Sequence, residues 1–509
     1  MGTRTLMRKT LRFLMWGFDK RLHKSRFAAF DEKGAILASV PPPHSLLLGV
    51  NLLKQFYVVR PTQTRRELGN MLVVAPTRGG KGLLATTQLF TWGGSVIVND
   101  LKGDLFKYTA GYRATLGDVY VMNPIKGIGH RYDPLRGYTT EHELFLACHK
   151  LLYEKSEADP FWTDSAIQML TQIFVAARLE NQPLFPYTRH IVRLGLPDAS
   201  HYLQTVSPEI ATQFLGRSFH SVDFENARQL HSTWLTLTSK LQYFLSEIVV
   251  KSLAVSDFNV SDLILGEKPV TIYLQWPERY LKAISPLIRL IVGSLIDELV
   301  ACFDERDGKG CKPVLILADE ATRTAIPSLA EHATTVVGRD ISLWVAVQSL
   351  KALEVVYGAD TAQVLRDNME SQIYYRPDDL LTAKYLENRT GTKSAYAHSQ
   401  TMREGAETSN GLSEQGVPLM TAQQIMQMRE HQVLLFHRNL PPLRIHRVSW
   451  IGNSTFEKYR KIPPPTLSAI PECEVSLNTQ TNQNIDGYVN PYMLLNRHKR
   501  TELEQELSN

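Results

Sequence analysis

The sequence predicts an α/β fold: a mainly parallel sheet built around a phosphate-binding loop, with an all-helical segment inserted in the chain. Three observations predict it. An apolar run at residues 71–74 (MLVV) breaks into a Pro/Gly-rich turn, ends in Gly-Lys, and passes into LLATTQLF. A second apolar run, PVLILADE at residues 313–320, ends in two adjacent carboxylates. Further runs, PVTIYLQW (269–276) and ISLWVAV (341–347), alternate with apolar helical stretches such as residues 285–303. That alternation is the order of strand–helix–strand units in a doubly wound parallel sheet of the RecA type.

The first motif reads as a phosphate loop. A strand should end near Ala75, and Pro76, Thr77, Arg78, Gly79 and Gly80 should aim backbone N–H groups at the β- and γ-phosphates of a nucleotide. A helix should start near Lys81, followed by Gly82 and Leu83, with its positive dipole end facing the anion and the Lys81 ammonium neutralising phosphate charge. The fit to G-x-x-x-x-G-K-[ST] is imperfect. Ala75 stands at the first glycine, and Gly82 stands where a Mg²⁺-binding hydroxyl is expected. The bland alternative is a glycine turn with an exposed lysine.

The second motif supplies the partner such a loop needs. Asp319 would hold Mg²⁺, directly or through water, and Glu320 would polarise the attacking water. One acid at a strand end is often a helix cap; two after a long apolar run, in a chain with a phosphate loop, point to ATP and Mg²⁺. Gln348, at the C-terminal end of the 341–347 run, is where open α/β sheets place their chemistry. It is a candidate γ-phosphate sensor, or else a polar strand terminus. Arg339, just before that run, reads as an arginine finger acting on a neighbouring subunit, or as a solvated surface arginine.

Composition fits a globular machine of two or three domains. The chain has 509 residues, 43% hydrophobic and 21% charged, and a formal net charge of only +5, so any DNA contact must be local. Cys148, Cys302, Cys311 and Cys473 have no metal-ligand spacing, which suggests a reducing compartment. The first 26 residues are strongly basic, with Arg4, Arg8, Lys9, Arg12, Lys20, Arg21, Lys24 and Arg26 against Asp19, and apolar residues between them. This arm is an amphipathic helix for anionic lipid, a dock for a membrane subunit, or a solvated tail. No window approaches the roughly 20 apolar residues of a membrane span.

Residues 40–62, with Pro41-Pro42-Pro43, read as a linker and lead-in strand. From about residue 140 to 244 the pattern is helical, and Trp162, Ile167, Leu170, Ile173 and Phe174 fall on one face. Phe161 and Trp162 read as core aromatics, with base stacking as the alternative. Residues 393–416 are polar and Gly/Ser-rich and read as a mobile loop; the chain past about 456 reads as a flexible tail. The expected division is a basic arm (1–40), a nucleotide-binding domain in two parts (41–140 and 245–455), an all-α domain (141–244) and the tail (456–509).

The order of APTRGGKG, NDLKGDL (99–105), TAGYR (109–113), FWTDSA (161–166), ILADEA (316–321) and AVQSL (346–350) resembles the type IV coupling proteins of bacterial conjugation and secretion, the TraG/TraD kind. The resemblance spans about residues 65–450. Asp100-Leu-Lys102-Gly-Asp104 is its most specific piece. RYDPL at 131–135 is similar to the family's Tyr-Asn-Pro-Leu, with Asp133 in place of Asn. The resemblance implies an ATP-hydrolysing hexameric ring. Such a ring recruits a relaxase–DNA complex or effector proteins and pumps DNA into a type IV secretion channel at the cytoplasmic face of the inner membrane. Family members usually carry N-terminal transmembrane helices, and the expectation here is a form held at the membrane by other means. The rival readings are a DNA translocase of the FtsK/HerA type and a nucleotide-bound recruitment adaptor with little hydrolysis.

Overall fold

The computed structural model of the protein describes residues 35–471, apart from 63–65, 153–160, 219, 221, 225–226, 325, 327–328 and 402–408. Residues 1–34 of the expected arm and Cys473 therefore lie outside the described residues, whereas Ala35–Ala38, inside the expected 1–40 arm, form a strand of the main sheet. Strands β1 (Ala35–Ala38), β2 (Leu46–Val50), β3 (Phe56–Val59), β4 (Met71–Val74), β5 (Ser95–Asn99), β6 (Asp118–Asn123) and β7 (Ile128–Gly129) come first. After a long helical stretch follow β8 (Val270–Leu274), β9 (Val314–Ala318), β10 (Ile341–Val347) and β11 (Ser371–Tyr375). The last four are β12 (Thr392–Thr401), β13 (Ser409–Pro418), β14 (Gln432–His437) and β15 (Leu443–His446).

All but β12 and β13 join one sheet, in the order β1-β3-β2-β15-β14-β11-β4-β10-β9-β5-β8-β6-β7. From β11 to β6 every pairing is parallel. Parallel strands need both faces covered, and β4, β5, β8, β9, β10 and β11 are buried along their whole length. Alternate residues serve different cores. Leu72, Val74, Ile97, Ile316 and Val345 join the cluster formed with the helices between residues 141 and 265 and with helix Leu281–Glu305. Met71, Val73, Val96, Leu317 and Trp344 join the other, with helices Lys81–Thr91 and Asp104–Leu116. The helical stretch thus lids one sheet face, and the phosphate-loop helix lies on the opposite face.

Three expectations need correction. Residues 392–401 and 409–418 are not a loop, because β12 and β13 pair in antiparallel register from Thr392↔Pro418 to Thr401↔Ser409. A hairpin outside the main sheet needs no apolar alternation, so its polar sequence concealed it. The chain after residue 456 is not free throughout: helix Ser454–Arg460 buries Phe456, and Gly129 and Gly127 bond Ser468 and Ile470 through backbone groups at 2.9 Å. Gly111 permits the close pass, since a Cβ there would meet the Ile462 carbonyl oxygen at 2.1 Å. Phe161 is not core: it is 49% exposed at the start of helix Phe161–Leu179, edge-on to half-buried Trp162. Residues 472–509 lie outside the described residues. Among the described residues, no helix is long and apolar enough to cross a membrane.

Asp133 offers a test of the packing. Its side chain accepts from the Leu135 N–H at 3.0 Å, and burial pushes its pKa up to about 6 despite that bond and nearby Arg178 and Arg136. The folded chain therefore retains a proton that the unfolded chain has released between about pH 4 and pH 6. Stability is lost as pH rises through that window and stays lost above it. Asp133→Asn keeps an acceptor for Leu135 without the buried charge. It should raise stability by about 1–3 kcal/mol at pH 7.5 and bring almost no gain near pH 4, read by thermal unfolding at both pH values.

Candidate nucleotide site

The site forms where four neighbouring parallel strands end. β4, β10, β9 and β5 lie side by side, so the phosphate loop, Gln348, the Asp319–Glu320 pair and the Asn99–Asp104 turn emerge along one C-terminal edge. Ala75 is buried and donates its N–H to the Val347 carbonyl at 3.0 Å, which fixes the loop's root to β10. The loop then turns, with Gly79 N–H on the Pro76 carbonyl at 2.9 Å and Thr77 and Arg78 exposed. Gly80 caps helix Lys81–Thr91 at φ 104°, a left-handed conformation that favours glycine. Leu83 bonds back to the Gly80 carbonyl at 3.0 Å, whereas the first helical amides, of Lys81 and Gly82, have no acceptor within their own helix.

Glu320 is the hub. Only 4% exposed and at φ 58°, its carboxylate is in direct contact with the Lys81 ammonium through one oxygen and accepts from Gln348 Nε2 at 2.8 Å through the other. Lys102 approaches the Lys81-bound oxygen at 4.0 Å. Burial would raise the Glu320 pKa, but Lys81 and Gln348 outweigh it and hold the group below its ordinary value, as a carboxylate. Asp319 differs. Its Oδ1 is buried and has no hydrogen-bond partner among the described residues, and burial pushes its pKa up to about 6, against the pull of Lys81 and with a push from Glu320. A buried, unpaired carboxylate oxygen beside a phosphate loop suits a divalent cation. Among the described residues no group of three or more His, Cys, Asp or Glu could hold one alone, so a metal here would be shared with phosphates and water. Gly82 adds no ligand; its surroundings are open, with nothing within 4 Å of a Cβ.

The structure brings Lys81, Asp319, Glu320 and Gln348 together and leaves Arg339 apart. Arg339 lies at the N-terminal end of β10, a strand length from Gln348, roughly 23 Å at 3.3 Å per residue. There it forms a fork to Asp304, both bonds at 2.7 Å.

Two sets of residues were missed as parts of the site. The Asn99–Asp104 turn stood out in the sequence with no role attached. Asn99 accepts from Trp276 at 2.8 Å and donates to Thr324 at 3.0 Å, tying β5 to the strand before residue 276 and to the helix after Glu320. Asp100 accepts from Gly103 and Phe106 N–H groups at 3.0 and 2.7 Å, which caps helix Asp104–Leu116 and presents Lys102 to Glu320. Arg447 gave no sequence signal at all, yet its Nη1 donates to the Gly79 carbonyl at 3.0 Å.

The two glycines flanking Lys81 should respond oppositely to substitution. A Cβ on Gly80 would meet Arg447 Nη1 at 2.9 Å in an already left-handed backbone, so Gly80→Ala should cost about 1–2 kcal/mol and weaken nucleotide binding. Gly82→Ser should fold normally and gain about 0.5 kcal/mol from helix propensity. Thermal unfolding and nucleotide titration of both variants check the contrast.

The chain matches the profile of a family described as type IV secretory system conjugative DNA transfer, over residues 45–472. It is 25% identical to protein VirD4 of Rhizobium radiobacter over 443 residues, covering 84% of this chain and 63% of the relative. Against the conjugal transfer protein TraG of Escherichia coli it is 26% identical over 355 residues, covering 63% of this chain and 55% of that one. The chain thus spans less than two thirds of the length of these relatives. Among solved structures, the plasmid coupling protein TrwB with the non-hydrolysable ATP analogue ADPNP aligns at a TM-score of 0.57 and 16% identity, over 89% of this chain and 98% of that one. TrwB with ADP and Mg²⁺ aligns at 0.54 and 16% identity, over 79% and 86%. The fold is that of TrwB, and the chain belongs to the type IV secretory conjugative DNA-transfer family.

Proposed function

We propose that this chain is an ATP-hydrolysing coupling protein, a ring motor that recruits a relaxase–DNA complex or effector proteins and drives DNA into a type IV secretion or conjugation channel. The observation that carries the proposal is the Glu320 carboxylate gripped by Lys81 of the phosphate loop and by Gln348, with the unpartnered Asp319 oxygen alongside. TrwB, of the same fold, has been solved with ADP and Mg²⁺ and with an ATP analogue, which supports ATP and Mg²⁺ as the ligands here.

In this reading the loop amides and the helix dipole take the β- and γ-phosphates, and Lys81 exchanges Glu320 for phosphate oxygen. Glu320 is thereby released, already ionised, to accept a proton from water, while the Gln348 amide orients that water. A bound Mg²⁺ would supply Lewis-acid polarisation of the phosphoryl oxygens, and Asp319 is the side chain to hold it. Arg339 sits too far along β10 to reach its own site, so it serves as a finger only from a neighbouring subunit, after leaving Asp304. Ring assembly and the DNA substrate rest on the family, as does a position at the cytoplasmic face of the inner membrane, reached through the basic arm or a separate membrane subunit.

Steady-state ATP hydrolysis with and without single- and double-stranded DNA tests the proposal. Activity should rise with DNA and fall about 100-fold or more in Lys81→Ala and Glu320→Gln, with Glu320→Gln still binding nucleotide. Nucleotide binding by the wild type with no hydrolysis under any DNA condition would favour a recruitment adaptor instead.

A further inference from the structure

Arg447 reaches the phosphate loop from the side of the sheet that carries no catalytic group. It follows β15 in the antiparallel flank, whereas Asp319, Glu320 and Gln348 lie on the strands across β4. Its Nη1 donates to the Gly79 carbonyl at 3.0 Å and lies 2.9 Å from where a Gly80 Cβ would be, so the guanidinium rests on the loop's last two glycines. Among the described residues no carboxylate pairs with it. A guanidinium has five N–H donors and stays charged, and the bond to Gly79 uses one of them.

The chain around Arg447 is fixed on both sides. Its own N–H bonds the His431 carbonyl at 2.8 Å. Downstream, Arg460 lies over the rings of Tyr108 and Trp450, at 5.0 and 4.9 Å, and Tyr459 stacks on Tyr112 at 4.0 Å. Phe456 stacks on Phe90 at 5.9 Å. Phe90 belongs to the helix that starts at Lys81, and Tyr108 and Tyr112 belong to the helix capped by Asp100. A cation with no counter-anion among the described residues, seated on a glycine-rich turn, is placed to take an anion.

We propose that Arg447 is a second phosphate-binding side chain of this site, acting within its own subunit. It turns the Gly79 carbonyl toward itself, away from the cradle, and offers its remaining donors to the phosphates common to ADP and ATP, on the flank opposite Glu320. The inference rests on the nucleotide-site reading above.

The test is equilibrium binding of N-methylanthraniloyl-ADP and -ATP to the full chain, for wild type, Lys81→Ala, Arg447→Ala and Arg447→Lys. Arg447→Ala should weaken both nucleotides by about tenfold or more, and Arg447→Lys, which keeps charge but not the planar fork, should recover only part. Unchanged affinity in Arg447→Ala, with or without a lower melting temperature, would reduce Arg447 to a structural tie and overturn the inference while leaving the site intact. Loss of ATP affinity alone would overturn the assignment to the shared phosphates. Failure of the wild type to bind either nucleotide would instead overturn the site reading, and the inference with it.

Discussion

The contact between Lys81 and Glu320 ties the phosphate loop to the acidic end of β9. It joins the residue that opens the phosphate-loop helix to the residue that ends the β9 turn, across the intervening strand β10. Taking two charges out of water is costly, and a buried pair repays that cost only when its remaining hydrogen-bonding capacity is met. Gln348 meets it on one Glu320 oxygen, and Lys102 stands near the other. Glu320 thus stays a carboxylate in place, and a phosphate arriving at Lys81 would compete with Glu320 for the same side chain. Such an exchange would let one event bind substrate and free a base.

That arrangement requires the strand ends to be held in fixed relative positions. Two apolar cores, drawing on alternate residues of each central strand, hold them. Polar ties then fix the turns: Ala75 to Val347, Asn99 to Thr324 and Trp276, and Asp100 to its helix. Arg113, fully buried, adds a further tie by donating to Thr271 Oγ1 at 2.8 Å, to the Gly94 carbonyl at 2.6 Å and to the Trp92 carbonyl. Its guanidinium thereby satisfies the backbone between the phosphate-loop helix and β5. The TAGYR and NDLKGDL segments therefore hold the turns around the candidate site in position.

Much of this was legible in the sequence because strand, loop and helix signals are local. The β4 run, the turn at Ala75–Gly80, the paired acids and Gln348 each announce themselves within ten residues, and parallel strands buried on both faces read as unbroken apolar runs. The hairpin β12–β13 was not legible, since strands outside the core need no apolar alternation. Arg447 was not legible because its contact lies 368 residues along the chain from its partner, Gly79. The ordered path to Ile470 was hidden for a similar reason. It depends on Gly111 letting the chain pass close by and on backbone bonds from Gly127 and Gly129, none of which shows in the Pro-rich sequence itself.

The exchange at Lys81 is tested most directly by a structure of the protein with a non-hydrolysable ATP analogue and Mg²⁺. Lys81 should leave Glu320 for phosphate oxygen, Glu320 and Gln348 should face a water near the terminal phosphate, and the Asp319 oxygen should take the metal side. A bound nucleotide with the Lys81–Glu320 contact intact and Asp319 still unpartnered would contradict it.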